Sequence, residues 1–418
     1  MKIDFLKSMK LHKLSITFLA FCLASFSGVK ATEAASLSVI AEGLNNPRGL
    51  SFGPDGSLYV TESGNGGNGA CIPSPSAQLA PLCLGETGSI TRIKNGQQER
   101  ILSGFKSLGY PPSGNDSSGI QDIKFDAAGN AYLIYGFAGD PARRESVLNS
   151  PEMGRFSKID LNTGALTSIA DLANYELLNN TDKGDMISNP FSVTIKGNLA
   201  YIAEAGANAV FTVGLDGSNL TPIPFPTRTI LNPEVPPETP PSERPTEFIS
   251  QSVPTAIAIG PDGVAYVSEL TGYPYQEGIA RIFKLDSDNQ LTVFADGFTE
   301  LIDLDFDIEG NLYALQYNNL SPWKEGSTDG SLIKIGLDGS RTTLWSGNGL
   351  EAPGAFTIGA DNAFYITTGA NLPGSGKVVR LDVTSVPEPS STIGLLVAAA
   401  TFGSGAMLKR KHKKLAQA

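Results

Sequence analysis

The sequence predicts an all-β fold: a six-bladed β-propeller of four-stranded blades, closed by its N-terminal strand. Three observations carry this reading. A hairpin motif ending in tyrosine recurs six times, each copy leads into further strands, and the one strand missing from the last copy is found at the other end of the chain. The tyrosines are Tyr59, Tyr132, Tyr201, Tyr266, Tyr313 and Tyr365, closing the runs GPDGSLY, DAAGNAY, IKGNLAY, GPDGVAY, DIEGNLY and GADNAFY. Asp-Gly and Gly-Asn pairs supply the positive φ angles of a tight turn, and the flanking residues alternate apolar and polar, as hairpin strands do.

A third strand follows in every copy: SITRI, FSKID, VFTVG, IFKLD, LIKIG and VVRLD. A fourth follows in the first five: ERILSGF, ALTSIADL, LTPIPF, LTVFADGF and RTTLWSG. The sixth copy runs instead into TSVPEP, while SLSVIAEGL at 36–44 has the character of a fourth strand. Taking the last outer strand from the N-terminus closes a ring and removes an exposed sheet edge. A sandwich or an open solenoid also shows many short strands, but the spare strand argues against both, and the uneven repeat spacing against an open array. A large ring at the same position of every blade is expected to fill the wedge between blades.

The propeller is expected over 36–385, between two sorting segments. In residues 1–35, Lys2, Lys7, Lys10 and Lys13 precede the apolar run LSITFLAFCLASFSG and a set of small residues, the order of a secretory signal peptide whose helix is removed. An uncleaved anchor is the alternative, and either reading exports the propeller. Export puts Cys71 and Cys83 in an oxidising compartment, where such a pair reads as a structural disulfide. The proline-dense stretch 226–247 reads as an extended or disordered connector between blades three and four, with a ligand-binding lid as the rarer role. At 386–418, the motif Val386, Pro387, Glu388 and Pro389 precedes TIGLLVAAATFGSGAML and the basic cluster Lys409, Arg410, Lys411, Lys413 and Lys414. The apolar run is long enough, as a transmembrane helix, to cross a bilayer core. A sorting signal and a plain C-terminal anchor are both open.

Charge and composition limit the chemistry. Setting aside five basic and two acidic residues in 1–35, and five and one in 386–418, leaves 21 basic against 39 acidic, a net charge of −18. A body this acidic does not bind nucleic acid through its phosphates. The only histidines, His12 and His412, lie in the sorting segments. That excludes a Ser-His-Asp triad and His-ligated metal sites in the propeller.

In a propeller, the loop entering the first strand and the loop leaving the second lie around one mouth of the central channel. Three residues after the tyrosines stand Glu62, Tyr135, Glu204, Glu269, Gln316 and Thr368; near the starts of the first strands stand Arg48, Gln121, Asp122, Ser192, Thr255, Asp303 and Gly354. Glu62, Glu204 and Glu269 together would form an oxygen-only site for Ca²⁺ or Mg²⁺. Glutamates that are solvated, or paired with Arg48 and with lysines at the blade bottom, are the other reading. Trp323, beside Pro322 in the blade-five excursion, is a candidate contact for an aromatic or sugar ligand.

The runs NPRGLSFGPDGSLYVTESG and SGIQDIKFDAAGNAYLIYGFAGDP resemble the ScyD/ScyE family of cyanobacterial exported proteins, a likeness extending over about residues 36–384. The hairpin motif is similar also to other six-bladed families, of the NHL, TolB-like and gluconolactonase-like types. The ScyD/ScyE resemblance implies a late periplasmic step in handling scytonemin, a hydrophobic indolic-phenolic pigment, and carries over no catalytic residue. The gluconolactonase resemblance implies a divalent-metal-dependent lactonase or hydrolase, with Glu62, Glu204 and Gln316 in positions that hold the ion. The C-terminal tail resembles the PEP-CTERM signal, which implies an exosortase as partner, loss of the helix, and transfer to the outer envelope or extracellular matrix. A small aromatic metabolite or a matrix polysaccharide is then the expected ligand, and a matrix scaffold without catalysis is a third reading.

Overall fold

The turn of every hairpin holds one residue in the left-handed region: Gly56, Gly129, Gly197, Gly263, Gly310 and Asn362, at φ between 60° and 85°. A β-carbon is strained there, which is why five of the six are glycine and the sixth is asparagine. From these turns the computed structural model, which describes residues 33–76, 79–326, 328–336 and 338–385, builds six sheets around one axis.

Blade 1 runs outward through Pro47–Phe52, Leu58–Glu62, Pro81–Lys94 and Gln97–Tyr110. Blade 2 contains Ile120–Phe125, Ala131–Tyr135, Arg155–Ile159 and Leu166–Asp171; blade 3 contains Pro190–Lys196, Leu199–Glu204, Ala209–Gly214 and Thr221–Pro224. Blades 4 and 5 follow the same order through Pro254–Ile259 to Leu291–Phe298 and Leu301–Phe306 to Arg341–Glu351. In blade 6 the strands Phe356–Ile358, Phe364–Thr368 and Gly376–Ser385 are completed by Glu33–Leu44, so the N-terminal strand closes the ring.

The repeated tyrosines seal the gaps between sheets. Tyr59 packs on Phe125, Tyr266 on Phe306, Tyr313 on Phe364 and Tyr365 on Phe52, each across a blade junction with ring centroids 4.8 to 5.2 Å apart. The hydroxyls of Tyr132, Tyr266, Tyr313 and Tyr365 donate to the turn aspartates Asp126, Asp262, Asp307 and Asp361. Each of those aspartates also accepts backbone N–H groups of its turn. One residue thus fixes the turn and the wedge together.

A polar bond crosses every junction near the axis. Thr61 donates to the Gln121 carbonyl, Thr255 to that of Leu301 and Thr367 to that of Arg48. Asp122 accepts from Val193 N–H, Asn208 from Val253 N–H and Asp303 from Phe356 N–H.

Some features differ from the expectation. The connector at 226–247 is not a structureless tether: Arg228–Leu231 pairs with Glu247–Ser250 as an antiparallel hairpin. Its proline-rich tip leaves both strands free of proline, and Glu234 of the tip meets Lys324 of blade 5. Two short helices, Ala142–Ser146 and Leu172–Asn179, join blade 2 strands and follow them. Of the signal segment expected at 1–35, the last three residues belong to the strand Glu33–Leu44, and the rest, like the C-terminal transmembrane helix expected at 386–418, lies outside the described residues. Among the described residues no helix is long and apolar enough to cross a membrane.

Cys71 and Cys83 are cross-strand partners joined as a disulfide with a sequence separation of 12. Peptide mapping without reductant is expected to recover them linked, and Cys71→Ser with Cys83→Ser to lower stability by roughly 3 kcal/mol, the loop-entropy value for a ring of this size. Deleting residues 36–44 is expected to lower the unfolding temperature of the whole propeller, because it opens the ring; a truncated protein with an unchanged midpoint would contradict closure.

Candidate functional site

The starts of the inner strands converge as the sequence indicated. Arg48, Gln121, Asp122, Ser192, Thr255, Asp303 and Gly354 all line one axial cavity of about 180 Å³. Strand periodicity brings two more ionisable groups to it, Lys124 two residues after Asp122 and Asp305 two after Asp303. The backbone approaches closely here, since a β-carbon at Gly49 would fall 2.1 Å from Asp122 Oδ1.

Burial governs the charges in this cavity. Lys124 Nζ lies 3.6 Å from Asp122 Oδ1. Burial alone would lower the lysine pKa, but Asp122, Asp303 and Asp305 outweigh it and hold the ammonium above its ordinary value. Burial raises Asp122 and Asp305, and pushes Asp303 up to about 7 despite Lys124 and the N–H of Phe356.

A second, larger cavity of about 850 Å³ adjoins the first, with Phe191 and Thr255 lining both. Its apolar wall includes Ile187, Phe248, Ile249, Tyr273 and Tyr275; Gln251, Asn189, Thr227 and Lys183 supply polar groups. Phe248 and Ile249 come from the hairpin of the proline-rich connector, so that segment forms part of the cavity wall. Phe248 packs edge-on against Tyr273 at 5.1 Å. Trp323 is not a fully exposed contact: it is half-buried behind Tyr273 and Tyr275, with centroids 6.0 and 6.2 Å away, and its indole N–H donates to the Pro274 carbonyl. At the channel mouth Arg48 Nη2 donates to the Ser117 carbonyl at 2.8 Å. Burial pushes both Tyr275 and Tyr317 up to about 12, with Glu300 and Asp116 reinforcing the shift in each.

The glutamates of the expected rim do not converge. Glu62, Glu204 and Glu269 are fully buried in three different blades, and none lines either cavity. Each sits opposite the first residue of its inner strand and turns into the blade, where it fastens the segment that enters that strand. Glu62 accepts from Asn45 N–H and Thr91 and makes a two-point pair with Arg100. Glu269 accepts from Ser252 and pairs with Arg281 through Nε and Nη2, at 2.5 and 3.0 Å. Glu204 has no cation and instead accepts from Ser188 Oγ and from the N–H groups of Asn189 and Ala207. Gln316 does the same work in blade 5, accepting from Thr299 N–H. These carboxylates are fully engaged by the protein, and among the described residues no three His, Cys, Asp or Glu side chains are placed to hold one metal ion.

Burial also pushes Glu204 up to about 7 against its hydrogen bonds, and Glu300 likewise. A carboxyl whose folded-state pKa lies above its unfolded value stabilises the fold at low pH, and that contribution is lost as pH rises from about 5 through 7. The unfolding temperature is therefore expected to fall across this window. Glu204→Gln, neutral at every pH, is expected to flatten the fall, which thermal scans at stepped pH check.

No protein-family model matches the sequence, and no curated protein matches it. Solved structures do. The PQQ-bound aldose sugar dehydrogenase of Streptomyces coelicolor superposes with a TM-score of 0.50 at 14% identity, over 85% of this chain and 99% of that one. A protein assigned to the gluconolactonases gives 0.49 at 11% identity, over 85% and 95%, and a glucose dehydrogenase 0.47 at 13%, over 84% and 100%. What the chain shares with the aldose sugar dehydrogenase is the β-propeller fold.

Proposed function

We propose that this protein is an exported binding propeller that takes an aromatic small molecule into the cavity beside its channel mouth. The observation that carries this is the wall of that cavity: Phe191, Phe248, Tyr273 and Tyr275 around about 850 Å³, with a few hydrogen-bonding side chains among them. Pockets for organic ligands have this make-up, mostly apolar and aromatic with a small number of polar groups that fix orientation. Ile249 and Tyr273 remain 65% and 37% exposed at the opening, apolar surface that a ligand would cover.

The likeness of the sequence to the ScyD/ScyE proteins supports an indolic or phenolic ligand, of the scytonemin kind, handled outside the cytoplasm. The N-terminal signal pattern and the PEP-type tail support export, membrane attachment before processing by an exosortase, and a final place in the periplasm, outer envelope or matrix. Binding is favoured over turnover because the acidic positions that a metal-dependent lactonase would use are engaged within separate blades.

Titration calorimetry with 2-naphthol tests the reading. Saturable binding is expected, weakened about two- to twelvefold by Tyr273→Ala, the loss of one aromatic pair worth about 0.5–1.5 kcal/mol. Absence of saturable heat, or equal affinity in the variant, would remove the aromatic cavity as the binding site.

A further inference from the structure

The axial cavity that adjoins the aromatic one is short of positive charge. Asp122, Asp303 and Asp305 accept backbone N–H groups but have Lys124 as the one cation among them, because Arg48, which also lines the cavity, is turned to the Ser117 carbonyl. Gln121 is 3% exposed and lines the cavity, yet its acceptor Oε1 meets no donor; Ser192 Oγ is likewise buried and unpartnered. Buried acceptors without donors are costly, and excess buried charge without a counter-ion more so. A guest that satisfies both must carry a positive charge and several N–H or O–H donors.

We propose that the axial cavity is an ammonium site, holding the protonated primary amine of a ligand whose aromatic body occupies the larger cavity. Three N–H donors on one charged nitrogen suit acceptors spread around a space, and charge-assisted bonds of this type are the strong ones. Among the described residues no three His, Cys, Asp or Glu side chains are placed to hold one metal ion, which leaves an organic cation as the guest. A volume of about 180 Å³ also exceeds what one bare ion fills and admits a short alkyl stem. Phe191 and Thr255 line both cavities, so the aromatic body and the amine fall in adjoining spaces. The high pKa of Asp303 is a further sign of missing positive charge, since burial there is only partly offset by Lys124.

The ammonium site stands without the larger cavity; only the aromatic half of the ligand rests on the function proposed above. Calorimetry at pH 8 on the intact propeller compares propylamine with 1-propanol, and 2-phenylethylamine with 2-phenylethanol. Each amine is expected to bind at least about tenfold more tightly than its alcohol. Asp305→Asn, with folding checked by thermal melting, is expected to erase that advantage and leave the alcohols unchanged; Gln121→Leu is expected to reduce it and serves if the first variant does not fold. Equal binding of amines and alcohols overturns the ammonium site, whatever the aromatic cavity does. If propylamine outbinds propanol while the phenyl compounds gain nothing over the propyl ones, the ammonium site holds and the aromatic reading fails.

Discussion

Closing six sheets around one axis leaves a wedge at every junction and a hole in the middle, and the rest of this structure answers those two spaces. Four of the wedges are filled by rings, tyrosine against phenylalanine, and each junction is latched by a polar bond. Backbone carbonyls and N–H groups at the inner ends of the strands would otherwise be buried without partners. Threonine, aspartate and asparagine supply those partners from the neighbouring blade. The hole cannot be filled by the same means, because every inner strand points alternate residues toward it. It therefore remains a cavity, with polar and ionisable side chains among apolar ones in its lining.

Much of this was legible in the chain. The turn glycines, the tyrosine period and the displaced fourth strand lead to a closed ring, because each obeys a local rule that the ring does not override. The starts of the inner strands were placed correctly at the axis for the same reason. Lys124 and Asp305 were equally readable, standing two residues beyond Asp122 and Asp303 on the same strand face. The second-strand glutamates misled because sequence position locates a Cα but not the direction of a side chain. Their two-point pairs with Arg100 and Arg281 join residues 38 and 12 positions apart, and no local pattern announces either. The aromatic cavity was hidden for another reason: its walls are loops and a hairpin, where propensity says little and proline suggests disorder.

Ring and cavity consequently draw on different parts of the chain. Inner strands and tyrosines recur six times and answer to packing. The excursions occur once each, and Phe248, Tyr273 and Tyr275 stand on them, braced from behind by Trp323. Buried glutamates such as Glu204 and Glu269 stand between the two, tying the entry of an inner strand to its own blade and holding steady the platform on which the excursions rest.

The disulfide acquires a meaning beyond stability from where its loop lies. Pro75 and Ser76, inside the span that Cys71 and Cys83 close, belong to the wall of the aromatic cavity. A wall already ordered before a guest arrives spares the guest the entropy of ordering it, which is how preorganisation raises affinity without adding a contact. The thiols can be joined only where the surroundings oxidise them. On the function proposed above, the same polypeptide is therefore the poorer host while its cysteines are reduced and the better one once they are joined.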